Sequence, residues 1–155
     1  MTIKNQNGAS AVEFAIVLPL LLLLLFGIVE FGILLYDQAM ITNAAREGAR
    51  AGIVYDDPTR LCDGDATSGI TKVVYDYAQN HLINFSSNSL NPPTIERTGL
   101  LGSGLGNCLG ESGGSLTVTV TYQYDFLVFP NLAKLVGGSF ANFQTLTAVA
   151  KMRFE

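Results

Sequence analysis

The sequence has few of the residues that enzymes use for catalysis or metal binding. Its 155 residues include one histidine and two cysteines, and neither cysteine has a base nearby in the sequence. No metal-ligand spacing is present, and no nucleophile is paired with a base. The glycines between Gly99 and Gly114 form neither G-x-G-x-x-G nor a phosphate-binding loop with its lysine. We therefore expect no enzymatic activity, no metal and no cofactor.

Charge is also scarce. Charged residues make up 14% of the chain, and the formal net charge is −4 at pH 7. The nine lysines and arginines are scattered, so no basic stripe is available for a phosphate backbone. This pattern argues against nucleic acid as a partner.

The chain does contain a long apolar run near its N-terminus. Residues 14–36 hold one charged side chain, Glu30, and as a helix of 1.5 Å rise per residue they extend about 34 Å. That length crosses the hydrocarbon core of a bilayer. A cleaved signal peptide has a shorter apolar region, and the A-x-A pattern at residues 49–51 lies too far beyond the run for its cleavage site. We therefore predict a membrane-spanning helix over about residues 14–36.

The helical pattern continues beyond the span. One helix from about Ala11 to Val54 would be about 65 Å long, and Asp57-Pro58 is the first firm stop. Such a helix needs lipid around one end and protein around the other. Its polar positions are expected to include Asp37, Arg46, Glu47 and Arg50. Small residues spaced four apart could contact either a neighbouring helix or the chain's own sheet; they are Ala44, Gly48 and Gly52.

Residues 56–155 predict a small α+β domain carried on the N-terminal helix of residues 9–55. Residues 66–83 are expected to form an amphipathic helix whose apolar face comprises Ile70, Val73, Val74, Tyr77, Ala78 and Leu82. His81, beside that face, is expected to be structural, and the aspartates near Asp63 to form a solvated loop rather than a calcium site. Residues 84–115 are expected to be loop-rich, and residues 130–136 to form a short helix. Strict alternation predicts strands over residues 116–126 and 144–154, paired in an antiparallel sheet that packs against the amphipathic helix.

The two cysteines, Cys62 and Cys108, both follow the span. An even count in a domain outside the cytoplasm predicts a disulfide, which would close a loop of about 45 residues and contribute about 3–4 kcal/mol. Two unrelated buried thiols are the alternative.

Two carboxylates accompany the apolar run. A charge inside a bilayer costs a few kcal/mol and normally has a partner or a function. Glu30, near the far end, suits either the headgroup level or a pairing in trans with a neighbouring helix. Glu13 lies five positions after Gly8, so a cut between Gly8 and Ala9 would place a new ammonium close to Glu13 of a neighbouring copy. Pro19 removes one intrahelical hydrogen bond and is expected to kink the helix.

The segment Gly8-Ala-Ser-Ala-Val-Glu13-Phe14 resembles the cleavage site of type IV prepilins, in the form found in tight-adherence (Tad/Flp) pilus systems. Together with Pro19, the leucine run, Glu30-Phe31-Gly32 and residues 43–50, it is similar to the TadE-like minor pilins, or pseudopilins. The resemblance implies a pilin-like α+β fold with residues 1–8 as a leader. It also implies cleavage after Gly8 by a prepilin peptidase, often with methylation of the new N-terminus, and a role for Glu13 in processing or subunit docking.

The resemblance further implies where the protein acts and with what. Its place would be the bacterial inner membrane, with the N-terminus cytoplasmic and the domain outside. Its partners would be the prepilin peptidase, other pilin and minor-pilin subunits, the inner-membrane assembly platform and the lipid bilayer. The leader has one lysine, Lys4, rather than a strongly basic set.

Two rival functions compete with this interpretation. One is an uncleaved, signal-anchored envelope protein with a binding or adhesive domain that never polymerises. The other is a secreted enzyme on a tether, against which the missing nucleophile–base pairs argue. The favoured prediction is a minor pilin that enters a Tad-type pilus, caps it or primes its assembly.

Overall fold

The chain forms a long N-terminal helix followed by two shorter helices and an antiparallel sheet, in a computed structural model that describes residues 7–53, 69–83, 85, 90–100, 110–135, 138 and 141–154. The elements in chain order are α1 (Asn7–Ile53), α2 (Gly69–His81), β1 (Thr94–Leu100), β2 (Gly110–Asp125), α3 (Phe129–Leu135) and β3 (Phe143–Arg153). The predicted α+β fold is confirmed. Two compact units make up the chain: Met1–Ile33 with Phe126–Asn142, and Leu34–Asp125 with Phe143–Glu155.

The first unit contains the apolar half of α1, which has Pro19 inside it. Leucine is a strong helix former, and residues 20–25 are six leucines in a row. Most apolar side chains of this half are exposed, among them Phe14, Leu24 and Ile28. A helix that is apolar on every side belongs in a membrane or in a protein core. Gly8–Ile53 is correspondingly a helix long and apolar enough to cross a membrane.

The second unit has a core in which the later half of α1, α2 and the sheet meet. Alternate residues of a strand point to opposite faces, and the buried residues of β2 and β3 follow that period. The buried set includes Ile41, Ala45, Ile70, Val74, Ala78, Leu116, Val118, Val120, Tyr122, Tyr124, Leu146, Ala148 and Ala150. The buried apolar residues of α2, β2 and β3 all belong to the faces expected for them, although Val73, Tyr77 and Leu82 of the α2 face are only half-buried.

The described sheet has the order β1-β2-β3, with every neighbouring pair antiparallel. In the β2–β3 pair Leu116 lies opposite Met152 and Tyr122 opposite Leu146. Strand β1 falls within residues 84–115, which were expected to be loop-rich, so that expectation was wrong for β1. Its sequence, Thr-Ile-Glu-Arg-Thr-Gly-Leu, has no apolar alternation because an edge strand is held mainly by backbone hydrogen bonds to β2.

Strand β2 begins at Gly110, six residues before the predicted start at Leu116. The additional residues include Gly113, whose φ of 90° is accessible to glycine at little cost. Its amide donates to the carbonyl of Phe154 at 2.9 Å. The start was missed because a glycine in this conformation extends the pairing without contributing a side chain to any pattern.

The small residues Ala44, Gly48 and Gly52 are buried in the second unit. A Cβ placed on Gly48 would lie 2.5 Å from Val74 Cγ2, and one on Gly52 would lie 2.5 Å from Ile70 Cδ1. Of the two contacts considered for this stripe, the structure shows packing against α2 and β2 of the same chain. The glycines allow that close approach.

Gly48→Val is therefore expected to destabilise the second unit. Overpacking of this kind costs about 1–3 kcal/mol, and each kcal/mol lowers the Tm of a domain of this size by about 4–8 °C. The measurement is thermal unfolding of the full chain in detergent, followed by the near-UV circular dichroism of its tyrosines. Gly32→Val is the matched control, because a Cβ at Gly32 meets nothing within 4 Å. Equal Tm values for the two variants would contradict the close packing at Gly48.

Candidate functional site

The proposed processing motif lies at the start of α1. Gly8, Ala9, Glu13 and Phe14 are all exposed helical residues, and a Cβ on Gly8 would meet nothing within 4 Å. A second protein can therefore reach both the Gly8–Ala9 bond and the Glu13 carboxylate. Their predicted roles in processing and assembly stay predictions.

Glu30 differs from Glu13 because it is enclosed. Its side chain is only 4% exposed, although the residues around it on α1 are exposed and apolar. Its carboxylate accepts hydrogen bonds from three consecutive backbone amides, those of Leu127, Val128 and Phe129. The Val128 amide is 3.2 Å from Oε1, and the Phe129 amide is 3.0 Å from Oε2. One carboxylate thus supplies the acceptors for the whole turn that leads into α3.

Hydrogen bonds within the chain were not among the expectations for Glu30, and the headgroup level and pairing in trans stay predictions. The three donors belong to the same chain, at sequence separations of 97 to 99 residues. A local signal for it does exist. Helices normally begin at Ser, Thr, Asp or Asn, whose side chains accept from the first amides, whereas α3 is preceded by Phe126-Leu-Val128. The start of α3 therefore required an acceptor from elsewhere.

Aromatic packing reinforces the same contact. A Cβ on Gly27 would lie 3.3 Å from Phe129 Cε2, so the ring lies over the helix where Gly27 has no side chain. Phe126 and Phe129 are 6.3 Å apart between ring centroids, with planes tilted by 56°. Polar and aromatic contacts together hold the turn before α3 against α1.

Glu30→Ala should release this turn. Each buried amide left without an acceptor costs about 1–3 kcal/mol, and about 1.4 kcal/mol corresponds to tenfold, so hydrogen exchange of amides 127–129 should rise by roughly tenfold or more. Hydrogen-exchange mass spectrometry of the full chain in lipid nanodiscs measures this. Glu47→Ala is the control, since Glu47 is an exposed residue of the same helix. Unchanged exchange in Glu30→Ala would show that the carboxylate does not hold the turn.

Asp37 is a second enclosed carboxylate, located beyond the apolar stretch and within the second unit. It was expected among the polar positions but is fully buried. Its Oδ1 accepts from the Ile83 amide at 3.0 Å, and its Oδ2 has no hydrogen-bond partner among the described residues. Burial raises the pKa of Asp37, while the Ile83 amide opposes the rise. Asp37 therefore anchors the chain just after α2, at an electrostatic cost.

The buried surroundings of Asp37 also affect the ionisation of the Tyr122 phenol. Burial raises the pKa of its phenol to about 12, with further contributions from Asp37, Asp125 and Tyr124. The phenol consequently stays protonated at every physiological pH. The proximity of Asp37 and Tyr122 was not predictable from the sequence, because the two residues come together only when α1 packs in the core of the second unit.

Asp37→Asn should change how stability depends on pH. A carboxyl whose folded pKa lies above its unfolded value destabilises the fold when it is ionised, and this penalty diminishes as the pH falls through the folded pKa. The wild-type chain should thus gain stability, relative to Asp37→Asn, as the pH falls from 7 toward the ordinary aspartate value of 3.8. Urea unfolding of both full chains in detergent at several pH values tests this. A constant difference in the free energy of unfolding would contradict it.

The predicted cysteine pair, Cys62 and Cys108, and the aspartate loop near Asp63 lie outside the described residues. His81 is exposed, stacks on Tyr77 with centroids 4.6 Å apart, and has Nδ1 2.8 Å from the Tyr77 carbonyl oxygen. Within the described ranges no cluster of three or more histidine, cysteine, aspartate or glutamate side chains could hold a metal ion.

A long apolar N-terminal helix that continues into a small α+β domain agrees with the expected pilin-like fold. The family model described as TadE-like protein matches residues 8–50. The resemblance found from the sequence is therefore confirmed over this segment, which contains the processing motif, Pro19, Glu30 and most of the small-residue stripe. No curated protein and no solved structure matched the chain in the other two comparisons.

The family match covers less than a third of the chain and lies entirely within α1. The exposed apolar half of α1 agrees with membrane anchoring.

Proposed function

We propose that the chain is a minor pilin of a Tad-type pilus, cut after Gly8 by a prepilin peptidase. The observation that carries this proposal is the TadE-like match over residues 8–50, which begins at the glycine of the processing motif. Exposure of Gly8 and Ala9 at the start of α1 supports access by a membrane peptidase. The new N-terminus would then be Ala9.

The proposed topology puts residues 1–8 in the cytoplasm, residues 14–36 in the inner membrane and residues 56–155 outside the cytoplasm. The exposed apolar surface of the span then has two successive surroundings. Lipid covers it before assembly, and neighbouring pilin helices cover it in a filament. Glu13 lies four residues after the proposed N-terminus, close enough for the ammonium of a neighbouring Ala9 to offset its cost in the membrane.

Intact-mass measurement of the chain from bacterial membranes tests the processing step. We expect a mature chain that begins at Ala9, and Gly8→Leu should retain the leader because a bulky side chain replaces the residue at the scissile bond. Gly32→Leu is the control, since it makes the same replacement at a second open glycine of α1. An intact leader on the wild-type chain, in cells with an active prepilin peptidase, would favour the uncleaved signal-anchored protein instead.

A separate experiment tests where the processed protein acts. Immunogold labelling of sheared pili separates a subunit that enters the filament from one that acts only at the membrane. Glu13→Ala further divides the two roles of this carboxylate. Loss of cleavage assigns Glu13 to processing, whereas normal cleavage with loss of pili assigns it to subunit docking.

A further inference from the structure

The turn from β2 into α3 has an unusual combination of features for a surface connection. Phe126-Leu127-Val128-Phe129 is wholly apolar, and Leu127 is 54% exposed. At the same time its backbone is bonded to Glu30, a residue inside the apolar run of α1. An apolar surface segment held against the flank of a predicted membrane span calls for a physical explanation.

The depth of Glu30 provides the first step. Exposed apolar residues lie on both sides of it along α1, including Ile28, Val29, Phe31 and Leu35. The apolar stretch continues for six residues after Glu30, which is about 9 Å of helix. If lipid covers that stretch, then the segment bonded to Glu30 lies at a depth that lipid also reaches.

The backbone of the segment is suited to such a place. A bilayer interior admits non-helical backbone only where its polar groups are satisfied by protein or by a water-filled cavity. The Phe126 amide donates to the Asn142 carbonyl at 3.0 Å, the next three donate to Glu30, and Pro130 has no amide hydrogen. Five consecutive positions therefore present no unsatisfied N–H group.

The side chains change character along α3 in the manner of an interfacial element. The apolar residues before and at its start are followed by the exposed Asn131 and Lys134. A lysine on an apolar segment can extend its ammonium to the headgroups while its stem stays in apolar surroundings. Helices at a membrane surface combine apolar and basic faces in this way.

We propose that Phe126–Leu135 is a second membrane-contacting element, in which Leu127 and its apolar neighbours lie among lipid acyl chains beside Glu30, and Lys134 lies at the headgroups. Glu30 makes this possible by satisfying the amides of the turn. The inference rests on the membrane-spanning role of α1 proposed above. Lipid is the occupant because the exposed residues of α1 on both sides of Glu30 are those that lipid must cover.

Tryptophan fluorescence tests the inference, because the natural chain contains no tryptophan and each variant then carries a single reporter. Leu127→Trp is introduced into the full chain. The chain is reconstituted in vesicles of phosphatidylcholine with a minor share of phosphatidylglycerol. The acyl chains of these lipids carry bromine either near the headgroup or near the chain end. Leu25→Trp reports the span, and Val149→Trp reports an exposed apolar position of β3. Phe126→Trp, a conservative aromatic replacement, provides a second reporter in the segment if Leu127→Trp fails to fold.

We expect quenching of the segment reporter to equal that of Leu25→Trp within about twofold, with the shallow bromines more effective for the segment and the deep bromines more effective for the span. Val149→Trp should be unaffected. Quenching of Leu25→Trp without quenching at position 127 or 126 would overturn this inference and leave the membrane span intact. Absence of quenching at Leu25→Trp would instead refute the span itself.

Two further outcomes separate lipid from protein and define the role of Glu30. A blue-shifted but unquenched reporter at position 127 would mean that protein covers the segment, as a second copy would, and would overturn the assignment to lipid. Glu30→Ala in the Leu127→Trp chain should reduce quenching severalfold and shift emission to the red, while Glu47→Ala should not. Unchanged quenching in Glu30→Ala would overturn the role of Glu30 in holding the segment at this depth.

Discussion

The structure depends on one constraint, which is that a single helix of 47 residues passes through two surroundings and must match each. Its first half is apolar on every side, so it gains stability only where lipid or other helices remove that surface from water. Its second half has a one-sided pattern in which alanine and glycine face α2 and β2. The change from leucine and phenylalanine to alanine and glycine along α1 therefore marks the change from the exposed apolar half to the half that is buried in the second unit.

Enclosed carboxylates mark places where the chain returns to this helix. Glu30 receives the turn before α3 in the first unit, and Asp37 receives the residue after α2 in the second. Both accept from backbone amides that lie at or beside the end of a short helix. Apolar packing alone is non-directional, whereas a carboxylate bonded to particular amides specifies which residues of the returning chain lie at which point of α1.

Much of this fold was predictable, because its elements carry strong local patterns. The apolar run defines α1, the three- and four-residue spacing from Ile70 to Ala78 defines the buried face of α2, and strict alternation defines β3 and most of β2. Strand β1 was not predictable, since an edge strand is fixed by a partner's backbone rather than by its own side chains. The same reason explains Glu30 and Asp37, whose partners are distant in sequence and come close only in the folded chain.

The candidate site, like the fold, has one part that local sequence patterns predict and another that they do not. Gly8, Glu13 and the span are local features, and the motif that joins them was recognisable without any structure. The environment of Glu30 was not, although the absence of a capping residue before α3 shows in retrospect that the amides there needed an acceptor. A missing cap next to an apolar turn, together with an unexplained carboxylate in an apolar helix, is a pair of signals that can be sought in other sequences.

The bonds of Glu30 bear on how such a helix could move from a bilayer into a filament. A charge that depends on lipid headgroups, or on a neighbouring subunit, loses its partner when the helix changes surroundings, and the cost of an unpaired charge in an apolar medium is high. The partners of Glu30 lie in its own chain and travel with it. In the proposed transfer its carboxylate would therefore stay satisfied on either side, so this charge would add no barrier that depends on finding a new partner. Glu13, exposed at the start of α1, has no such enclosure among the described residues, which leaves it suited to a contact that forms only when another subunit arrives.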